Sequence, residues 1–129
     1  MITVLTTAKP FAGAHRISQI NAIRSWKALA PDVEVILFGE CEGYAEAAEE
    51  LDLVRVPEVQ TSSQGTPLIN AMFAAARQRG RYAVQAYINC DIIVLDGLSR
   101  ALGAVKAARF LIVGQRWDLD LNEPIDFDD

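Results

Sequence analysis

Asn89, Cys90 and Asp91 stand inside an apolar run, Tyr87-Ile88-Asn89-Cys90-Asp91-Ile92-Ile93-Val94-Leu95, that otherwise reads as a buried strand. An unpaired carboxylate in a core costs several kcal/mol or takes up a proton. Asp91 is therefore expected where the strand leaves the core, or beside a cation. Side chains two apart on a strand share a face, so Asn89 and Asp91 point the same way. An amide beside a carboxylate suits a hard cation or a polar ligand. The same residues equally suit an Asp that opens a turn or caps a helix.

The chemistry that the rest of the chain excludes narrows this. No G-x-G-x-x-G follows the first predicted strand, and no G-x-x-x-x-G-K-[ST] occurs, so neither a dinucleotide fingerprint nor a P-loop is present. No G-x-S-x-G occurs, and the one histidine, His15, has no neighbouring nucleophile. Cys41 and Cys90 lack metal-ligand spacing and read as free thiols of a cytoplasmic protein. What remains is a carboxylate, Asp91, that could hold Mg²⁺ or Mn²⁺ against a diphosphate, with Lys9 and Arg116 near it.

Alternating strands and helices must position these groups. Strands are predicted over residues 2–6, 33–38, 53–56, 82–89 and 110–114 from their β-branched runs. Residues 92–95 are expected to continue extended, and 118–121 alternate like an exposed strand. A helix over residues 15–29 carries the stripe His15, Gln19, Ala22, Trp26 and Leu29. Ile17 and Ile20 fall off that stripe, so this helix is expected to be covered on more than one side. His15 and Gln19 either face a ligand crevice or fray at the helix start. A second helix covers residues 42–51. Thr66 and Pro67 suit the N-cap and first turn of a third, whose face carries Leu68, Met72, Ala75 and Ala76. Asp96 suits the N-cap of a fourth, and the polar residues 58–65 suit a lid or a plain connector.

With 129 residues, 51% apolar and 22% charged, the chain is one globular domain, 1–129. The net charge of −5 comes from the tail of about 117–129, which has Asp118, Asp120, Glu123, Asp126, Asp128 and Asp129 and no Lys or Arg. The remainder is close to neutral, which argues against nucleic acid as a partner. No apolar run reaches the length of a membrane span, and no basic segment precedes an apolar one at the N-terminus. The fold class is three-layer α/β with a mostly parallel sheet. Its ligand edge would carry Thr6, Thr7, Lys9, Glu40, Asn89, Asp91 and Arg116.

Several blocks occur in one order: residues 6–11 (TTAKPF), 19–26 (QINAIRSW), 35–39 (VILFG), 65–70 (GTPLIN), 89–93 (NCDII) and 114–118 (GQRWD). Together they resemble the nucleotide-sugar half of family 2-like glycosyltransferases of the GT-A fold. The resemblance implies a Rossmann-like sheet ordered 3-2-1-4 and a nucleotide-diphosphate sugar as ligand. It implies Thr6 and Thr7 at base and ribose, Glu40 as the acid after strand 2, and Asn89-Cys90-Asp91 as the D-x-D motif, with Asp91 ligating Mn²⁺ or Mg²⁺. The first acid of that motif is Asn here, which removes a charge. Family members carry a second half with the acceptor site, so the resemblance is to a truncated domain and assigns no catalytic residue. The alternative is a non-catalytic nucleotide-binding or interaction module on the same fold. A truncated sheet also leaves an edge open to pairing in a homo-oligomer.

Overall fold

A computed structural model describes residues 1–128. Four strands, β1 (Thr3–Thr6), β2 (Glu34–Phe38), β3 (Val54–Val56) and β4 (Gln85–Tyr87), alternate with four helices. These are α1 (Gly13–Lys27), α2 (Tyr44–Leu51), α3 (Ile69–Arg79) and α4 (Gly97–Ala104). The sheet is parallel throughout and ordered β3-β2-β1-β4. The α/β class and this strand order agree with the sequence reading.

Every residue of β1 and β2 is buried, as the interior of a parallel sheet covered on both faces requires. Alternation sends Ile2, Val4, Val33, Val35 and Leu37 to one face, where Ile20, Ile23 and Trp26 of α1 and Tyr44 and Ala47 of α2 meet them. Leu5, Ile36, Phe38 and Val56 go to the other, under Met72 and Ala76 of α3. The three layers follow from the connections. The chain steps from β1 to β2 to β3 in one direction, then returns past β1 to β4. Crossovers of constant hand therefore put α1 and α2 on one face and α3 on the other. α4 lies on the α1 side, since Leu102 and Val94 pack into the α1 core.

Helix α1 does more than pack. Buried Asn21 donates Nδ2–H to the Glu123 carbonyl (2.8 Å) and accepts the Ile125 N–H on Oδ1 (2.8 Å). Ser25 Oγ accepts the Val94 N–H (2.9 Å), and the Trp26 indole N–H donates to the Ile92 carbonyl (2.8 Å). Two extended segments with no strand to pair with are thus held by one helix, which is covered on several sides as its off-stripe isoleucines suggest.

Several predicted elements do not form. Residues 110–114 and 118–121 are not strands, and Phe110, Leu111, Ile112 and Val113 are exposed. The strand predicted over residues 82–89 is confined to Gln85–Tyr87, and residues 92–95 continue without strand pairing. Thr66 and Pro67 do not begin α3. Pro67 bridges Thr61, the Ser62 N–H donates to the Thr66 carbonyl (2.8 Å), and the Leu68 N–H donates to that of Gln60 (2.9 Å). These bonds fold residues 60–68 onto themselves, so the helix opens at Ile69 with Leu68 in the N-cap position. Asp96 does occupy the N-cap position of α4, yet its carboxylate meets Arg100 (3.5 Å) rather than a helix N–H. No helix among the described residues is long and apolar enough to cross a membrane.

Candidate functional site

In an open parallel sheet the ligand crevice lies at the carboxyl ends of the strands, where the strand order reverses. Here that point lies between β1 and β4. The segments leaving those two strands are Thr7–Ala12 and Ile88–Asp91, which bring Thr7, Lys9, Asn89 and Asp91 to one edge.

The two strand ends are stapled together. Thr6 is fully buried, and its hydroxyl donates to the Ile88 carbonyl (2.7 Å) while the Ile88 N–H donates to that of Leu5 (3.1 Å). The side chain of Thr6 therefore holds β4 to β1, and of the pair only Thr7 is partly exposed. The loop after β1 is held just as firmly. Buried Gln19 accepts the Lys9 N–H on Oε1 (2.7 Å) and donates Nε2–H to the Lys9 carbonyl (3.0 Å). The Tyr44 hydroxyl donates to the Ala8 carbonyl and accepts the Ala8 N–H (2.9 Å). Phe11 closes the loop by stacking edge-on to Tyr44 at 5.7 Å and donating its N–H to the Glu42 carbonyl (3.0 Å). Gly43, at φ +81°, is required beside it: a Cβ there would come within 2.8 Å of the Phe11 Cβ. The backbone of the loop is fixed while the Lys9 side chain is exposed and makes no ion pair among the described residues.

After β4 the chain turns at Asn89, whose carbonyl accepts the Ile92 N–H (3.0 Å). Asn89 and Asp91 are exposed, and Cys90 between them is buried, as two side chains sharing a face require. No hydrogen bond or ion pair holds the Asp91 carboxylate among the described residues, so its own turn does not satisfy it. Glu40, after β2, is exposed, and Arg55 reaches both its oxygens (2.6 and 2.5 Å) and orients it. Arg55 sits between two valines of β3, and the sequence reading missed it. A lone cation in a short strand was the available signal.

Other predicted positions fall elsewhere. His15 is exposed near the start of α1, and Gln19 clasps the loop rather than facing a ligand. The placement of Arg116 on the ligand edge depended on a strand ending at Gly114. Without that strand the placement lapses, and Arg116 pairs with Asp118 (3.5 Å). Two open pockets, of about 330 and 260 Å³, are not lined by Asp91, one around Phe11, Arg16 and Glu46 and one around Leu29, Val94 and Phe127. Among the described residues no three His, Cys, Asp or Glu side chains gather to hold a metal.

Burial pushes the Tyr44 hydroxyl and the Cys90 thiol each up to about 12, from ordinary values of 10.0 and 9.0. Both are acids whose unfolded forms ionise first. Their contribution is whole below pH 9 and is lost as pH rises toward 12. Denaturant midpoints measured from pH 8 to 11 should fall, and the Tyr44→Phe, Cys90→Ala double variant should flatten the slope.

Comparison with protein-family models, with curated proteins and with solved structures gives no match to this chain. The arrangement itself is a Rossmann-like parallel sheet with an unpaired carboxylate at its switch point.

Proposed function

We propose that the chain binds a nucleotide-diphosphate sugar at the carboxyl ends of β1 and β4, through a divalent cation held by Asp91, in the manner of a GT-A glycosyltransferase. The observation that carries this reading is the exposed, unpartnered Asp91 beside Asn89 at the point where the strand order reverses. One carboxylate and one amide do not make a resident metal site. They do suit Mg²⁺ or Mn²⁺ that arrives with its ligand, because such ions take one or two carboxylates and fill the remaining positions with phosphate oxygens and water. The Lys9 ammonium supplies a second positive charge for the diphosphate. Thr7 and the fixed backbone of Ala8–Phe11 offer a preformed wall, and Glu40, oriented by Arg55, is the acid for a ribose or base. The metal would supply charge neutralisation at the phosphates when bound. The residues of this chain bind and orient, and none is assigned to the transfer step.

Titration calorimetry with UDP- and GDP-sugars in the presence of Mn²⁺ tests the proposal. One donor should bind, and Asp91→Ala should weaken it at least tenfold, about 1.4 kcal/mol or more. Chelating the metal should weaken it similarly, and the two losses should not add, because both remove one interaction. Absence of heat with every donor and metal combination would remove the reading.

A further inference from the structure

Among the described residues strand β4 has a neighbour on one side only. Thr3 N–H bonds the Val84 carbonyl and the Ile88 N–H bonds that of Leu5, so alternate residues of this strand turn their backbone groups to β1. Gln85 and Tyr87 therefore present theirs to the open side. Such an edge is a template for strand addition.

The same chain carries an apolar, strand-like run, residues 110–113, that pairs with no strand among the described residues. Residues 110–113 (Phe-Leu-Ile-Val) are exposed at 45%, 87%, 43% and 82%, an alternation of period two. Trp117, at 95%, and Leu119, at 74%, continue the apolar surface. These six side chains expose on the order of 800 Å², about what each partner contributes to a standard interface.

The segment does not reach its own β4 as a parallel neighbour, and the reason is chirality. The steps β1–α1–β2 and β2–α2–β3 run one way along the sheet with their helices on the α1 face. The step β3–α3–β4 runs the other way with its helix on the opposite face, so all three share one hand. A fifth parallel strand outside β4 would continue away from β3, yet α4 lies on the α1 face. That crossover would have the opposite hand, which parallel β-α-β units almost never show. A second molecule is under no such constraint. Five residues separate α4 from Phe110, a span of up to about 17 Å when extended, enough to carry the segment off its own subunit.

We propose that residues 110–113 add as a strand to β4 of a second copy, and that the reciprocal exchange closes a twofold dimer. Reciprocity uses the β4 edge and the 110–113 segment of both copies, so neither is left to recruit a third and assembly stops at two. Leu111 and Val113 supply the apolar contact, and the outward groups of Gln85 and Tyr87 supply the hydrogen bonds. The interface does not depend on what the crevice binds.

Sedimentation velocity of the full chain, under reducing conditions so that exposed Cys41 cannot cross-link, reads this directly. The chain should sediment as a dimer at micromolar concentration. Leu111→Lys with Val113→Lys, and separately Gln85→Pro, should each raise the dissociation constant at least 100-fold with an unchanged far-ultraviolet spectrum. Proline at Gln85 removes only an outward N–H. If that variant fails to fold, the lysine pair, placed in an exposed segment, decides alone. A monomer at every concentration, an assembly that grows without limit, or a dimer that survives the lysine pair overturns the proposal.

Discussion

Trp26→Ala should cost about 3–5 kcal/mol of folding free energy, a large share of the roughly 5–15 kcal/mol that holds a folded domain. Trp26 is the largest fully buried side chain, at 0% exposure in the core under α1. Truncation leaves a cavity between α1 and the sheet and removes the only hydrogen bond to the Ile92 carbonyl among the described residues. The second loss matters because residues 92–95 have no strand partner, so Trp26 and Ser25 are what hold them. Trp26→Phe separates the two effects. It keeps most of the volume and deletes the N–H, and should cost about 1–3 kcal/mol for the orphaned carbonyl. Urea unfolding followed by far-ultraviolet circular dichroism measures both. In a Trp117→Phe background the remaining indole is the buried one, and its fluorescence should report the same midpoint.

Gln19→Leu should act locally first. Leucine matches the apolar stem but leaves the Lys9 N–H and carbonyl without their partners. Lys9 borders solvent, so water recovers part of the loss and about 1–3 kcal/mol is expected. The larger consequence is dynamic. Amide exchange at Ala8, Lys9 and Phe11 should accelerate by at least tenfold, while the strands retain their protection. If the loop is a preformed wall for a nucleotide, affinity should fall in proportion to the population of the ordered loop. Unchanged exchange at these amides would mean that Tyr44 alone fixes the loop.

The interior of the sheet was the most legible part of the chain. Residues 2–6 are β-branched and aliphatic throughout, residues 33–38 are apolar but for Glu34, and a strand covered on both faces is what spends apolar residues that way. The Trp26 stripe and the Met72–Ala76 face were legible because helical spacing and burial agree there. Residues 110–114 misled for the same reason. Their composition specifies a strand, but β-propensity reports fit to a neighbour, and a parallel place beside β4 would need a crossover of the wrong hand. Thr66-Pro67 carries a strong helix-start signal, yet the turn that pairs Thr61 with Pro67 competes for the same backbone. At the candidate site, Asn89 and Asp91 could be placed from the strand before them. The roles of Gln19, Asn21 and Arg55 could not, because each depends on a partner that the sequence leaves undetermined.

The hold of Asn21 on the far end of the chain bears on how the protein is made. Its amide waits for groups 102 and 104 positions downstream. A ribosome that has finished α1 has produced a helix whose inner surface still lacks a hydrogen-bonding partner, and supplies that partner only near Ile125. Such distant closure slows the search for the native state, since long loops must be gathered before their contacts repay the entropy. Helix α1 is thus made well before the segment that completes it.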